Sequence, residues 1–400
     1  MHLQSLELSN FRSFPTGRFA FSPGINIIYG PNASGKTNLL EAIYVLSNLR
    51  SFRTHGFREL IHWGETQAYV RGIVQQGRTP EDDRESNPSV KTLALGIEPA
   101  SRVPLINSKR CKSSRDYLRI LPSTAFIPDD LSLVKGEPAS RRYFLDQGTF
   151  QYYLPYWSLL ADYNRLLHQK NALLRDLKSG SADRGKGSGR AAKGDPCEVW
   201  DSQLQQVGSK IILHRIIFIH NLQRFLLRIY DNWLAGKENI TLRYKSSIRF
   251  SAETIVNGSN EEEIDQEQAY QQIFEAYGHA IQRAQERERQ LGMTVVGPHR
   301  DDLEIDLAGK SLRAFGSQGQ QRTAVLALKF AEVSLYFERY AEYSILLLDD
   351  VASELDVTRN RKLLEYLHRG LQVFISSTSK PDFFATTSLA CTYFDLSNQK

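Results

Sequence analysis

Two hydrophobic patterns divide the chain. Near its two ends lie short apolar stretches, Ile25-Asn26-Ile27-Ile28-Tyr29, Ile345-Leu346-Leu347-Leu348 and Leu371 to Ser376. Stretches of this length between turn residues predict strands buried on both faces, as in a parallel sheet. The segments Glu65 to Gln75 and Val90 to Glu98 alternate, which predicts half-buried strands, so the region up to about Leu121 reads as a mixed sheet with one strong helix. From about Tyr152 the period lengthens. Leu154 to Leu174, Trp200 to Trp233 and Ile264 to Leu291 show helical spacing, with one strand-like piece at Ile240 to Phe250.

The predicted organisation is α/β: a head formed by residues 1–125 and 295–400, and an inserted, mainly helical second lobe over 126–294. Gln76 to Ser89 is polar and carries Pro80 and Pro88, which predicts a hairpin loop. Lys178 to Gly194 is rich in Gly and Ser, with Lys178, Arg184, Lys186, Arg190 and Lys193 against Asp183, and is predicted to be disordered. It reads equally as a phosphate-touching arm and as a solvated spacer.

Composition narrows the class. A chain of 400 residues is long enough for two domains. No run of 18 apolar residues occurs and the amino terminus opens on an alternating strand, so a cytoplasmic protein without a membrane span is expected. Cys111, Cys197 and Cys391 are far apart without a C-x-x-C pair, which disfavours zinc and a disulfide framework.

The segment Gly30-Pro31-Asn32-Ala33-Ser34-Gly35-Lys36-Thr37 follows the first apolar stretch and opens a predicted helix over Thr37 to Leu49. It fits the G-x-x-x-x-G-K-[ST] phosphate loop in the strand-loop-helix context that the pattern requires. Gly30 and Gly35 permit the tight path on which successive N–H groups face one phosphate, with the positive end of the helix behind them. Lys36 is expected to reach the β- and γ-phosphates and the Thr37 hydroxyl to sit on Mg²⁺. ATP and Mg²⁺ are therefore the expected cofactors. A glycine-bearing turn is the plainer alternative, and the flanking strand and helix count against it.

Ile345 to Leu348 ends in Asp349-Asp350, and the carboxyl edge of a parallel sheet is where ligands bind. Adjacent residues alternate sides, so Asp349 is assigned to the Mg²⁺ shell and Asp350 to polarising the attacking water. Further upstream, Ser317-Gln318-Gly319-Gln320-Gln321 precedes good helix formers from Arg322 to Ala331. Ser317 fits an N-cap, and the same geometry offers its hydroxyl and the Gly319 amide to an anion.

Together with Ser353-Glu354-Leu355-Asp356, these motifs resemble the ABC-type P-loop ATPase heads of the SMC and Rad50 class, and the whole chain resembles the bacterial RecF family. Asn10 to Phe14, Thr37 to Ile43, Arg50 to Arg53, Pro128 to Leu131, Arg141 to Asp146 and Gly297 to Asp302 extend the match almost end to end. The resemblance implies an ATP-dependent homodimer, each ATP held between Gly30 to Thr37 of one copy and Ser317, Gln318, Gly319 and Gln320 of the other. Ser353 and Asp356 would lie on the loop crossing that interface. Lys36 and Asp350 would serve a weak ATPase used as a switch. The same resemblance implies a recombination mediator of gap repair and SOS induction, working on single- and double-stranded DNA with RecO and RecR to load RecA. Three departures stand out. Ala33 and Ser34 replace residues common in RecF relatives, Ser377-Thr378-Ser379 stands where transporter-type ATPases place a histidine, and Asp129-Asp130 stands where a glutamine is expected.

Net charge is +5, which permits nucleic acid binding without requiring it. Arg50, Arg53 and Arg58, with Phe52 and His55, and then Lys109, Arg110 and Lys112 are the candidate DNA contacts, although each cluster alone reads better as an ordinary solvated face and it is the family resemblance, not charge, that implies DNA. A structural SMC or Rad50 clamp is the alternative; the insert lacks long heptads and a C-x-x-C hook. An ABC-type ATPase that does not act on DNA is the other, and a transporter subunit would carry its signature nearer the phosphate loop.

Overall fold

The computed structural model describes residues 1–54, 56–76, 89–179, 195–234, 239–250, 255, 264–351, 366–367, 370–380 and 391–397. His55, Ser353, Asp356 and most of the segments 76–89 and 178–194 lie outside them. The strands are β1 (His2–Phe11), β2 (Phe14–Ala20), β3 (Ile25–Tyr29), β4 (Ala68–Gln75), β5 (Val90–Ile97), β6 (Arg102–Ile106), β7 (Lys109–Arg110), β8 (Ser123–Phe126), β9 (Ile240–Lys245), β10 (Asp302–Leu307), β11 (Lys310–Ser311), β12 (Ile345–Leu348), β13 (Val373–Ser377) and β14 (Cys391–Asp395).

Two compact units form, Met1–Asp130 with Leu326–Lys400, and Leu131–Val325. In the first unit the apolar stretches of the sequence become the middle of a parallel sheet, ordered β14-β3-β13-β12-β8. Leu346 pairs with Val373 and Thr124, so Ile345–Leu348 has a neighbour on either side and is buried along its whole length. The alternating segments form a separate antiparallel sheet, β2-β1-β4-β5-β6-β7. The helix Lys36–Asn48 packs against both sheets, burying Leu39, Leu40, Ile43, Val45 and Leu46. Close approach to β4 requires Gly72, where an added Cβ would lie 2.6 Å from Leu46 Cδ2.

The second unit is built on the helices Pro138–Tyr152, Tyr156–Lys178, Glu198–Leu234 and Gln266–Leu291, with a small antiparallel sheet β11-β10-β9. Three of these helices are joined by Lys170, which is buried 2.5 Å from both Asp201 and Glu288. Residues 295–325, assigned to the head from the sequence, pack within this unit because β10 pairs with β9 from Asp302↔Lys245 to Leu307↔Ile240. Asp301 reinforces the join: it accepts hydrogen bonds from the Tyr244 hydroxyl at 2.5 Å and the Ser247 amide at 2.6 Å. Arg141 makes a two-pronged ion pair with Asp302, at 2.7 and 2.9 Å. Among the described residues no helix is long and apolar enough to cross a membrane.

Candidate nucleotide site

The phosphate loop leaves β3 at Tyr29 and enters the helix at Lys36. Gly35 has φ +97°, and an added Cβ would lie 3.0 Å from Ser13 Oγ and 3.1 Å from the Phe14 ring, so both backbone sign and space select glycine. Ala33 holds φ 65° without that freedom, an unfavourable conformation of the kind concentrated at ligand clamps. The Ser34 hydroxyl is buried without a hydrogen-bond partner among the described residues. The Lys36 ammonium, buried, donates to the Gly30 and Pro31 carbonyls at 2.8 Å each. A loop curled around a lysine, with an unmatched buried hydroxyl, fits a polyphosphate.

Asp349 and Asp350 stand where β12 ends. The Thr37 hydroxyl lies 3.0 and 3.1 Å from the two Asp349 carboxylate oxygens. Burial pushes the Asp349 carboxyl above its ordinary value; the Ser376 and Thr37 hydrogen bonds pull it back, the Asp350 charge adds to the rise and Arg53 opposes it. One hydroxyl and one buried carboxylate are an oxygen donor set that suits Mg²⁺ with several retained waters. Asp350 follows with φ 53°, its amide donating to Ser376 Oγ at 2.9 Å.

A second polar group, missed from the sequence, lies on the same helix. Glu41 is buried within an apolar helix face and takes Arg12 at 2.7 and 2.8 Å, the Ser51 hydroxyl at 2.5 Å and Arg53 at 3.4 Å. Arg53 also donates to Asn38 Oδ1 at 2.9 Å. A lone carboxylate inside Leu-Leu-Glu-Ala-Ile was the available signal, since such a charge is buried only when paired.

Ser317 and Gln320 form a reciprocal cap at the start of the helix Gln318–Tyr340: the Gln320 amide donates to Ser317 Oγ at 3.2 Å and the Ser317 amide to Gln320 Oε1 at 2.8 Å. Ser317 and Gln318 are exposed, and Gly319 and Gln320 half-buried. Gln321 is turned inward, donating to the Leu312 and Gly316 carbonyls at 3.1 Å. This motif belongs to the second unit, the phosphate loop and acid pair to the first.

Lys109, Arg110 and Lys112 are exposed together at the outer edge of the antiparallel sheet, and Arg53 and Arg58 are exposed after the helix Lys36–Asn48. Arg50 is half-buried near Arg102, whose guanidinium lies 4.9 Å from the Phe57 ring centroid. Asp130, at the expected glutamine position, accepts the Ile127 amide at 2.8 Å and meets Lys329 at 3.4 Å. Among the described residues no three His, Cys, Asp or Glu side chains cluster as a metal site, and the three cysteines are free thiols.

A parallel sheet that carries a phosphate loop after β3 and an acid pair after β12, with β13 between them, in a chain that also holds an antiparallel sheet and an inserted helical lobe, defines an ABC-type ATPase head of the RecF and SMC class. The family model described as RecF/RecN/SMC N terminal domain matches residues 2–397. The DNA replication and repair protein RecF of Limosilactobacillus reuteri (strain DSM 20016) is 37% identical over 384 residues, 96% of this chain and 93% of that one. The protein of the same description from Exiguobacterium sp. (strain ATCC BAA-1283 / AT1b) is 37% identical over 383 residues, covering 95% and 93%. A solved structure of the recombination mediator protein RecF with ATP, in the RecFOR pathway, superposes with a TM-score of 0.81 at 31% identity, covering 98% of this chain and 95% of that one. The chain belongs to the RecF family.

Proposed function

We propose that this chain is an ATP-dependent DNA-binding switch that acts as a recombination mediator in DNA repair. The observation that carries the reading is the contact of Thr37 with Asp349, which joins the phosphate loop to the acid pair from 312 residues away. The relatives named for DNA replication and repair, and the solved mediator with ATP, support it.

In this reading the backbone N–H groups of Asn32 to Gly35 cradle the phosphates, Lys36 leaves its two carbonyls for the β- and γ-phosphates, and Thr37 and Asp349 would hold Mg²⁺. Bound there, Mg²⁺ would neutralise developing phosphate charge. Asp350 polarises the attacking water. A second copy lends Ser317, Gln318, Gly319 and Gln320 to the γ-phosphate, with Ser353 and Asp356 on the loop between the copies. ATP closes the homodimer only to the extent that it binds the closed form more tightly, so slow hydrolysis acts as a reset. Arg50, Arg53, Arg58, Lys109, Arg110 and Lys112 supply sequence-independent phosphate contacts to single- or double-stranded DNA, and RecO and RecR are the partners in loading RecA at gaps.

The test is mass measurement by light scattering with and without ATP and gapped DNA. A nucleotide-dependent dimer that engages gapped DNA is expected. A monomer under all conditions rejects the shared-site mechanism.

A further inference from the structure

The sequence motifs account for two acids at the end of β12 but not for what holds them. Ser376 is the fourth residue of β13, and the register Leu348↔Ile375 brings it beside Asp349 at the carboxyl edge of the sheet. It is fully buried. Its Oγ lies 2.5 Å from Asp349 Oδ1 and accepts the Asp350 amide at 2.9 Å. A hydroxyl has one proton, so with the amide filling a lone pair that proton goes to the carboxylate. One side chain therefore grips both acids.

Two consequences follow from the geometry. Thr37 lies almost equally far from both Asp349 oxygens and so does not distinguish them. Ser376 does, by engaging Oδ1 and leaving Oδ2 as the less committed oxygen. Ser376 also ties down the chain where Asp350 adopts φ 53°, a conformation that persists in a non-glycine residue only when its surroundings over-determine it.

We propose that Ser376 is a positioning residue of the nucleotide site, turning Asp349 Oδ2 toward the Mg²⁺ water shell and fixing the turn that carries Asp350. This rests on the Mg²⁺–ATP reading of the site. The chain has a strand-borne hydroxyl organising its acid pair from behind, one position before the Ser377-Thr378-Ser379 segment that occupies the place of the transporter-type histidine.

The test uses the full chain and the affinity of a fluorescent ATP analogue, titrated with Mg²⁺ and in EDTA. Ser376→Ala is expected to keep the EDTA affinity within about twofold while needing about tenfold more Mg²⁺ for half-maximal binding, the loss of one charge-assisted hydrogen bond. Ser376→Thr, which retains the hydroxyl, is expected to recover most of that loss. In an Asp349→Asn background, Ser376→Ala should change the Mg²⁺ requirement by less than about twofold, because both residues act through one carboxylate. An unchanged Mg²⁺ requirement in Ser376→Ala, or losses that simply add in the double variant, overturns the proposal. If Ser376→Ala does not fold, Ser376→Cys takes its place, a weak donor expected to give an intermediate requirement and overturning the proposal if it matches wild type. Wild type that binds no nucleotide rejects the underlying site reading instead.

Discussion

The Thr37 hydroxyl touches both carboxylate oxygens of Asp349, at 3.0 and 3.1 Å, although the two residues belong to opposite ends of the chain. The parallel order β3-β13-β12 makes this possible, since all three strands deliver their carboxyl ends to one edge. Loop and acids are thus positioned by one rigid sheet.

Lys36→Arg tests the loop. The ammonium fits between two carbonyls at 2.8 Å, and a planar guanidinium is too wide for that grip and presents its donors in a fixed fork. ATP affinity is expected to fall by about tenfold or more, the scale of losing one charge-assisted contact. Titration with a fluorescent nucleotide measures it; wild-type affinity would remove Lys36 from the phosphate contacts.

Asp350→Asn separates binding from hydrolysis. The amide–Ser376 bond is a backbone contact and survives the change, so the turn is retained while the base is lost. ATP should still bind, hydrolysis should slow by about a hundredfold, typical of losing a general base, and the dimer should persist. Single-turnover phosphate release together with light scattering reads both; normal turnover would end the catalytic assignment.

The strands were legible because their burial is written in apolar runs: β3 and β12 fall where Ile25 to Tyr29 and Ile345 to Leu348 predict. Their neighbours were not, because an apolar run states that a strand is covered and not by which strand. The phosphate loop and Ser317 cap were readable as local patterns. Ser376, Glu41 and Lys170 were missed for a shared reason. The partners that give each its place, Asp349, Arg12 and Glu288, lie on other elements, far away in sequence, so no local pattern marks them. The segment 295–325 was assigned to the head because the helical spacing ends at Leu291, whereas strand pairing ties it to the second unit.

Ser317→Asp distinguishes a cap from a ligand contact. Aspartate caps as well as serine, so stability should hold within about 0.5 kcal/mol. A carboxylate facing a γ-phosphate would repel it, so ATP-driven dimerisation should disappear while monomer ATP binding remains. Sedimentation with ATP checks this, and a dimer as strong as wild type would place Ser317 outside the shared pocket.

Lys170→Met should be the costliest change in the helical unit. Burial alone would pull the Lys170 ammonium down, but Glu288 and Asp201 outweigh it and leave it raised. Removing the lysine strands two buried carboxylates, a loss of about 3–5 kcal/mol. Adding Asp201→Asn and Glu288→Gln should recover much of it, since neutral amides need no counter-charge. Urea denaturation midpoints measure both; equal stability of the single and triple variants would mean that packing rather than charge is at stake.

Glu332 gives a pH dependence with a definite sign. It is buried 3.7 Å from Lys329, which also meets Asp130 at 3.4 Å. Burial raises its carboxyl to about 7; Lys329 pulls it down and the Asp130 charge pushes it up. Below about 4.5, the unfolded value, the group is protonated in both states and its contribution is fully present. Between about 4.5 and about 7 the unfolded chain gives up the proton and the folded chain keeps it, so stability falls as pH rises, by on the order of 3 kcal/mol in all. Glu332→Gln removes the charge and leaves Lys329 its Asp130 partner, so the variant should be more stable than wild type at pH 8, by on the order of 3 kcal/mol, and within about 1 kcal/mol of it at pH 5. Chemical denaturation at the two pH values decides the matter: a difference that is the same at both, or larger at pH 5, would show that the Glu332 proton is not what sets this slope.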